Sequence, residues 1–277
     1  MSNKNIILSI IAVILIVVIW SLCLQLTEKK LPEQVEETTV EVIDAEKEPE
    51  PAEEEKPVMT VVCYGDSNTW GNMPGNTTRY PKNVRWPGVL GNMLGNQYDV
   101  ISEGLSGRQT GVWFDDIYPE DGLVSLPMTL KTDFPVDILV FMIGTNDCKT
   151  RTDISVEDIG VGMEELIRCA KDKLSEYQDY EPKIIVVSPP AILESVSESW
   201  IANQFDENSI RKSHELKDVY QEICEREGCI FVNGTDTIEV SEIDGVHLSE
   251  KGHQQLAELL YETIQNLEKS DTETKTE

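Results

Sequence analysis

The chain has 277 residues, of which 51 are Asp or Glu and 23 are Lys or Arg, so its formal net charge at pH 7 is −28. This negative charge argues against binding to nucleic acid or to anionic lipid surfaces, because both are negatively charged themselves. The length allows one or two domains of roughly 150 residues each.

The amino-terminal region, residues 1–26, predicts a membrane anchor. Residues 6–26 contain no charged side chain and are mainly Ile, Val and Leu, and about 20 such residues span a bilayer as a helix. The alternatives are a cleaved signal peptide and a lipoprotein signal at Cys23. The apolar run is longer than a signal-peptide core and lacks a small-residue cleavage site, and Leu22 stands where lipidation favours a small residue. We expect an uncleaved single-pass anchor with the rest of the chain outside the cytoplasm, although lysines on both sides of the run give its orientation little bias.

Residues 27–57 have a different composition, with twelve acidic side chains, four basic ones, four prolines and no aromatic residue. Such a segment buries too little apolar surface to offset its loss of conformational entropy, so we predict a disordered acidic spacer. Residues 58–268 then form the folded domain, and 269–277 a polar tail. Since the anchor contributes +1 and the spacer −8 to the total of −28, residues 58–277 carry −21.

Five cysteines lie outside the predicted anchor, and this odd number does not define a disulfide framework at this length. Cys63 and Cys169 fall in a predicted strand and on a helical face, the usual positions of small buried thiols. Cys224 and Cys229 flank a predicted helix end and could pair, but we expect them not to. No cysteine–histidine spacing indicates a zinc site, and neither a metal nor an organic cofactor is expected.

Apolar strands alternate with amphipathic helices, which predicts a parallel sheet with helices on both faces. The predicted strands are short, β-branched runs at 58–64, 98–102, 136–143, 183–188 and 229–233. The predicted helices have apolar residues at helical spacing and cover 86–94, 155–177, 209–227 and 249–267.

Small or polar residues follow several of these strands, at the edge where open α/β sheets bind ligands. Ser67 follows the first strand, Gly107 the second and Asn146 the third, while Asp244 and His247 come after the fifth. Each alone has an ordinary explanation, as a helix cap, a turn residue or a chance spacing. Together they indicate one site.

In this order the segments resemble the SGNH, or GDSL, hydrolases, most of all the bacterial arylesterase and acyltransferase branch. The resemblance covers nearly the whole domain and rests on GDS at 65–67, VRWPGVL at 84–90, EGLS at 103–106, GTND at 144–147, VVSPP at 186–190 and DGVH at 244–247. Asn68 stands where the family's name has leucine. The resemblance implies a three-layer, flavodoxin-like α/β/α sandwich with a five-stranded parallel sheet, and a carboxylic ester hydrolase.

The chemistry of ester hydrolysis explains these residue types. A serine hydroxyl such as that of Ser67 is a weak nucleophile until a base takes its proton, and His247 is the candidate base because imidazole titrates near neutral pH. Asp244 would fix the tautomer of that ring and stabilise its charged form. The resemblance assigns the oxyanion hole to the backbone N–H groups of Ser67 and Gly107 and to the side-chain amide of Asn146.

Other residues near the motifs are candidates for different roles. The candidates for substrate contact are Trp70, Trp86, Arg108, Trp113 and Phe114. Trp86 lies on a predicted helix, where a core role is the better prediction, and Arg108 could instead hold its own loop. The long connections 110–134 and 191–208 predict a rim or lid. The remaining histidines, His214 and His253, lie on charged helices, and we expect both at the surface.

The sequence thus predicts a serine esterase acting on short-chain acetyl or aryl esters through an acyl-serine intermediate. Acyl transfer to an alcohol, polysaccharide O-acetylesterase activity and a lysophospholipase-like lipase are alternatives within the same chemistry. A non-catalytic glycan-binding module is the alternative from another class, but it would not need the complete set of nucleophile, base, acid and amide. The expected partners are a small-molecule or glycan ester and, through the anchor, the membrane. A homo-oligomer is compatible with the family, although no residue pattern indicates one.

Overall fold

A computed structural model describes residues 58–111 and 120–274 of the chain, with side chains to residue 269. The anchor predicted at 6–26 and the spacer at 27–57 lie outside the described residues and stay predictions. Within the described part of the chain, every helix is too short or too polar to cross a bilayer.

Strands and helices alternate along the described residues. The strands are β1 (Met59–Gly65), β2 (Tyr98–Gly104), β3 (Ile138–Met142), β4 (Lys183–Val187) and β5 (Ile230–Val232). The helices are α1 (Ser67–Trp70), α2 (Trp86–Leu94), α3 (Gly122–Asp133), α4 (Val156–Ser175), α5 (Glu207–Glu227) and α6 (Glu250–Thr274).

All five predicted strands and all four predicted helices are present. Helix α6 continues to Thr274, into the segment predicted as a polar tail. Helix α3 lies within the connection 110–134 and is not among the predicted helices. The physical reason is Pro127 in its interior, a residue that removes a backbone hydrogen bond and disfavours helix. Burial of Leu126 and Leu130 against the sheet outweighs that preference.

The five strands form one parallel sheet in the order β2-β1-β3-β4-β5, the flavodoxin-like order. Strand β1 is paired on both sides, with Val61 opposite Val100 of β2 and Ile138 of β3. Because all strands are parallel, their carboxyl ends meet at one edge. The direction of winding reverses between β1 and β3, and open sheets bind ligands in the crevice at such a reversal.

Helices cover both faces of the sheet because the side chains of β1 alternate. Val62 and Tyr64 pack with α3, α4 and α5, whereas Val61 and Cys63 pack with α2 and α6. All four side chains are fully buried, as expected for a strand covered on both sides. The described residues therefore form a three-layer α/β/α sandwich, as predicted.

At the start of α2, Trp86 has the core role that was the better of its two predictions, and the prediction for His253 is wrong. Trp86 is fully buried in the core against α6 and does not line the site described below. His253 of α6, predicted at the surface, is also fully buried: its Nδ1 accepts a hydrogen bond from the Trp86 backbone N–H at 3.3 Å, and its ring packs edge-on against Tyr80. The polar residues next to His253 in sequence suggested that it is exposed, but they lie on a different side of the helix, because successive residues of a helix face different directions. The other histidine, His214, is exposed as predicted.

His253 is held in its neutral form. Burial, followed by the charges of Arg85 and His247, lowers the pKa of His253 to about 3. A protonated ring would also lose the lone pair at Nδ1 that accepts the Trp86 N–H. The cysteines of this part of the chain, Cys224 and Cys229 included, are free thiols.

We predict that His253→Asn flattens the acid dependence of stability. Below the ordinary histidine pKa of about 6.5, the unfolded chain takes up a proton that the folded chain excludes until about pH 3. The contribution of neutral His253 to the free energy of unfolding is therefore complete above pH 6.5. It is lost on acidification, at up to about 1.4 kcal/mol per pH unit. Urea unfolding at pH 7, 6 and 5 measures this slope. The exposed-histidine variant His214→Asn should keep the wild-type slope, and an unchanged slope in His253→Asn would contradict the prediction.

Candidate active site

Ser67 is the first residue of α1, directly after the tight turn that follows β1. Asp66 caps α1, and its Oδ1 accepts the Asn68 backbone N–H at 2.9 Å. A side chain at position 65 would clash with the Met142 carbonyl oxygen and the Thr69 hydroxyl. Glycine at that position therefore allows β1, β3 and α1 to approach closely while Ser67 emerges at the carboxyl edge of the sheet.

The segment between β5 and α6 brings His247 and Asp244 to this serine. His247 Nε2 lies 3.1 Å from Ser67 Oγ, and His247 Nδ1 lies 2.7 Å from Asp244 Oδ2. Both are hydrogen-bond distances. Ser67 and His247 each expose 8% of their surface, and Asp244 exposes none. A hydroxyl, an imidazole and a carboxylate thus form one connected chain at the edge of the cleft.

Asp244 has several donors besides the imidazole. Its Oδ1 accepts the backbone N–H groups of Val246 at 3.1 Å and His247 at 2.9 Å, and its Oδ2 accepts that of Gly75 at 2.9 Å. Burial raises the pKa of this carboxyl, but the hydrogen bond and charge of His247, with the backbone donors, outweigh burial and lower the pKa to about 2. An ionised Asp244 favours the proton on Nδ1, which leaves Nε2 free to accept the Ser67 hydroxyl.

Asn68 holds the histidine segment in place. Its Nδ2 donates to the Val246 carbonyl at 3.2 Å, and its Oδ1 accepts the Leu248 N–H at 2.9 Å. The side chain next to Ser67 therefore binds the residues on either side of His247. The motif alone gives position 68 no such role, because leucine stands there in the family's name. A buried polar residue directly after the serine is the signal that could have revealed it.

Gly107 and Asn146 border the same cleft as Ser67 and His247. Gly107 has φ of +89°, in the left-handed region that glycine adopts without strain. Asn146 Nδ2 donates to the Arg108 carbonyl at 3.0 Å, which orients the amide and leaves its second N–H available. These groups can supply donors to a negative charge that develops next to Ser67.

Arg108 itself holds its loop. It is 4% exposed, its guanidinium lies 3.9 Å from the centroid of the Tyr64 ring, and it donates to the carbonyls of Gly65 and Glu103. It does not line the cleft among the described residues. Of its two predicted roles, the structure supports the one in the loop. The loops after β2 and β3 are joined further by Asp147, which accepts the Thr110 hydroxyl at 2.7 Å.

The cleft has a volume of about 300 Å³, and part of its wall is aromatic. Trp70 lines it as predicted, and the connection 191–208 contributes Trp200, Ile201 and Phe205. This connection therefore forms a rim, as predicted. The other aromatic candidates, Trp113 and Phe114, lie at 112–119, outside the described residues.

The sequence profile of the GDSL-like Lipase/Acylhydrolase family matches residues 63–255. The chain therefore belongs to this family, the SGNH hydrolases, and it is a carboxylic ester hydrolase.

Solved structures support the assignment. Est24, a carbohydrate acetylesterase from Sinorhizobium meliloti, is 32% identical, with a TM-score of 0.71 over 76% of this chain and 99% of that chain. The aryl esterase of M. smegmatis is 31% identical, with a TM-score of 0.71 over 76% and 100%. A lipase/acylhydrolase from Enterococcus faecalis, at 21% identity and a TM-score of 0.52 over 76% and 96%, is similar in fold. No curated protein sequence matches the chain.

We predict that Asn68→Ala lowers both stability and turnover. The buried Val246 carbonyl and Leu248 N–H would lose their partner, which costs about 1–3 kcal/mol in the free energy of unfolding, and His247 would lose its support. Urea unfolding and the kcat for 4-nitrophenyl acetate measure the two effects. The control Asn92→Ala changes an exposed residue of α2, and its free energy of unfolding should stay within about 0.5 kcal/mol of the wild-type value. If Asn68→Ala behaved like that control, Asn68 would have no positioning role.

Proposed function

We propose that the protein is a serine esterase that hydrolyses short-chain acetyl or aryl esters through an acyl-serine intermediate. The observation that carries the proposal is the hydrogen-bonded chain from Ser67 Oγ through His247 to Asp244. The similarity to a carbohydrate acetylesterase and an aryl esterase at 31–32% identity supports the choice of ester class.

In the proposed mechanism, Ser67 Oγ attacks the ester carbonyl carbon while His247 Nε2 takes the hydroxyl proton. The ionised Asp244 stabilises the imidazolium that forms. When the intermediate collapses, the bond to the alcohol oxygen breaks and His247 returns the proton to that oxygen. The acyl group remains on Ser67. Water then attacks the acyl carbon while His247 takes a proton from it. The bond between the acyl carbon and Ser67 Oγ breaks, His247 returns the proton to Oγ, and the acid is released.

The tetrahedral intermediates carry a negative oxygen that needs donors fixed in advance. We assign these donors to the backbone N–H groups of Ser67 and Gly107 and to Nδ2 of Asn146. The bond from Asn146 Nδ2 to the Arg108 carbonyl supports this assignment, because it holds the amide before substrate arrives. A donor that is already oriented needs no rearrangement during the reaction.

The cleft supports a short acyl group. Its volume of about 300 Å³ is at the lower end of the range for small-molecule sites, and the aromatic part of its wall suits apolar acyl or aryl groups.

Since the acyl-serine is common to hydrolysis and acyl transfer, we propose transfer to alcohols as a second outcome of the same intermediate. The anchor predicted at 6–26 would hold the enzyme at the membrane. For an enzyme in that location, we favour acetylated polysaccharide over lipid esters as the substrate.

We predict that Asn146→Ala lowers kcat by about 10²–10³, the usual loss for one oxyanion donor. Because the Asn146 amide forms only one hydrogen bond to the protein among those described here, the variant should remain folded. Circular dichroism and urea unfolding check the fold, and hydrolysis of 4-nitrophenyl acetate measures kcat. Turnover close to wild type would remove Asn146 from the mechanism.

An ester panel tests the function as a whole. We expect the wild-type chain to release acetate from acetylated glycans and to cleave 4-nitrophenyl acetate faster than the decanoate, and Ser67→Ala to do neither. Activity confined to the decanoate would exclude the glycan substrate. Full activity in Ser67→Ala would exclude the acyl-serine, and glycan binding without hydrolysis by the wild type would favour the binding module.

A further inference from the structure

The cleft beside Ser67 contains an unusual charge. Lys149, three residues after Asn146, lines it. Among the described residues that line the cleft, it is the only Lys or Arg, and none is Asp or Glu. In a chain with 51 acidic and 23 basic residues, a cleft lining with one cation and no carboxylate differs from the surface as a whole, although the carboxylates of Asp66 and Asp244 lie behind it.

No carboxylate of the described residues lies within ion-pair distance of Lys149, although Asp66 and Asp147 act on its charge from farther away. Its Nζ lies 5.7 Å from the centroid of the Phe205 ring, which also lines the cleft, and the ammonium group forms no hydrogen bond or ion pair with the described part of the chain. Burial, followed by the charge of Arg151, lowers the pKa of Lys149 to about 8, while Asp66 and Asp147 oppose this change. The side chain is therefore mostly protonated at neutral pH.

The position of this charge distinguishes a binding role from a purely structural one. A lysine that only packs its methylene groups on an aromatic ring directs its ammonium group into water. Lys149 is half-buried, lines the cleft where the ester must bind, and has its Nζ over the ring of Phe205, so its cation is partly desolvated at the wall of that cleft. Withdrawing a cation from water is unfavourable unless an anion or hydrogen-bond acceptors replace the water. A bound carboxylate would do this by accepting a charge-assisted hydrogen bond, which is among the stronger polar contacts in proteins.

We propose that Lys149 is a specificity-determining residue that binds a carboxylate on the substrate, so that the preferred substrates are anionic esters. Acetylated acidic sugars and half-esters of dicarboxylic acids both belong to this class. The inference rests on the esterase function proposed above and specifies the substrate of the same cleft. The carboxylate belongs either to the alcohol part or to the acyl part of the ester, and the experiment separates these two sources.

Two matched pairs of esters test the proposal on the full chain. In the first, 4-acetoxybenzoate is compared with its neutral methyl ester, so that the charge lies on the leaving group and acetyl is transferred in both. In the second, the mono-4-nitrophenyl ester of adipic acid is compared with 4-nitrophenyl hexanoate, so that the charge lies on the acyl group. The kcat and KM of each ester are measured at pH 7 for the wild type and for Lys149→Met, Lys149→Arg and Lys173→Met.

We expect Lys149→Met to lower kcat/KM for the charged member of at least one pair about ten- to a hundred-fold more than for the neutral member, the loss expected for one charge-assisted hydrogen bond. The change should lie mainly in KM, because the carboxylate binds equally before and during the reaction. Lys149→Arg should retain most of the preference. Lys173→Met removes one partly exposed lysine from the last turn of α4, away from the residues that line the cleft. It should leave both pairs of esters unchanged, which controls for net charge.

The pair that responds identifies the part of the ester that carries the carboxylate. Equal losses on charged and neutral esters in Lys149→Met, or no loss on either, would overturn the inference while leaving the esterase function intact. A wild-type chain that hydrolyses none of the four esters would overturn the proposed function and the inference with it.

Discussion

The hydrogen bond between His247 Nε2 and Ser67 Oγ joins two residues that are 180 positions apart. Proton transfer between them requires the fold to hold these two atoms at this distance of 3.1 Å. The parallel sheet supplies the first constraint, because it presents Ser67 at the end of a strand that is paired on both sides. Asp244 supplies the second by holding the imidazole through Nδ1. Asn68 supplies the third, since it binds the backbone on both sides of His247.

Burial disfavours the charged form of both Asp244 and His253, but their hydrogen-bond partners differ, and so does the outcome. Asp244 remains ionised because its donors more than compensate for the loss of water, whereas His253 stays neutral because its environment offers no carboxylate partner among its described contacts. The presence or absence of a carboxylate partner also explains why His247 and His253, six positions apart, have different roles. His247 faces a hydroxyl and a carboxylate, and His253 faces a backbone N–H and an aromatic ring.

The strands were predictable because buried, β-branched runs separated by amphipathic helices carry a clear periodic signal. Helix α3 was not, because the helix-breaking tendency of Pro127 is local whereas the burial that overrides it is not. His253 illustrates the same limit. A residue's neighbours in sequence do not reveal which side of its helix packs, and His253 meets Trp86 only when α2 and α6 lie against the same face of the sheet.

The sequence by itself determined the α/β class, the order of the five strands and of the four long amphipathic helices, and the candidates Ser67, Gly107, Asn146, Asp244 and His247, because these follow from periodicity and from motifs that are short and local. Only the tertiary structure decided how they meet. It brought Asn68 to the histidine segment, Gly75 to Asp244, and Lys149 to the cleft with Phe205. Such contacts depend on distances between loops that are far apart along the chain, and no local pattern encodes those distances.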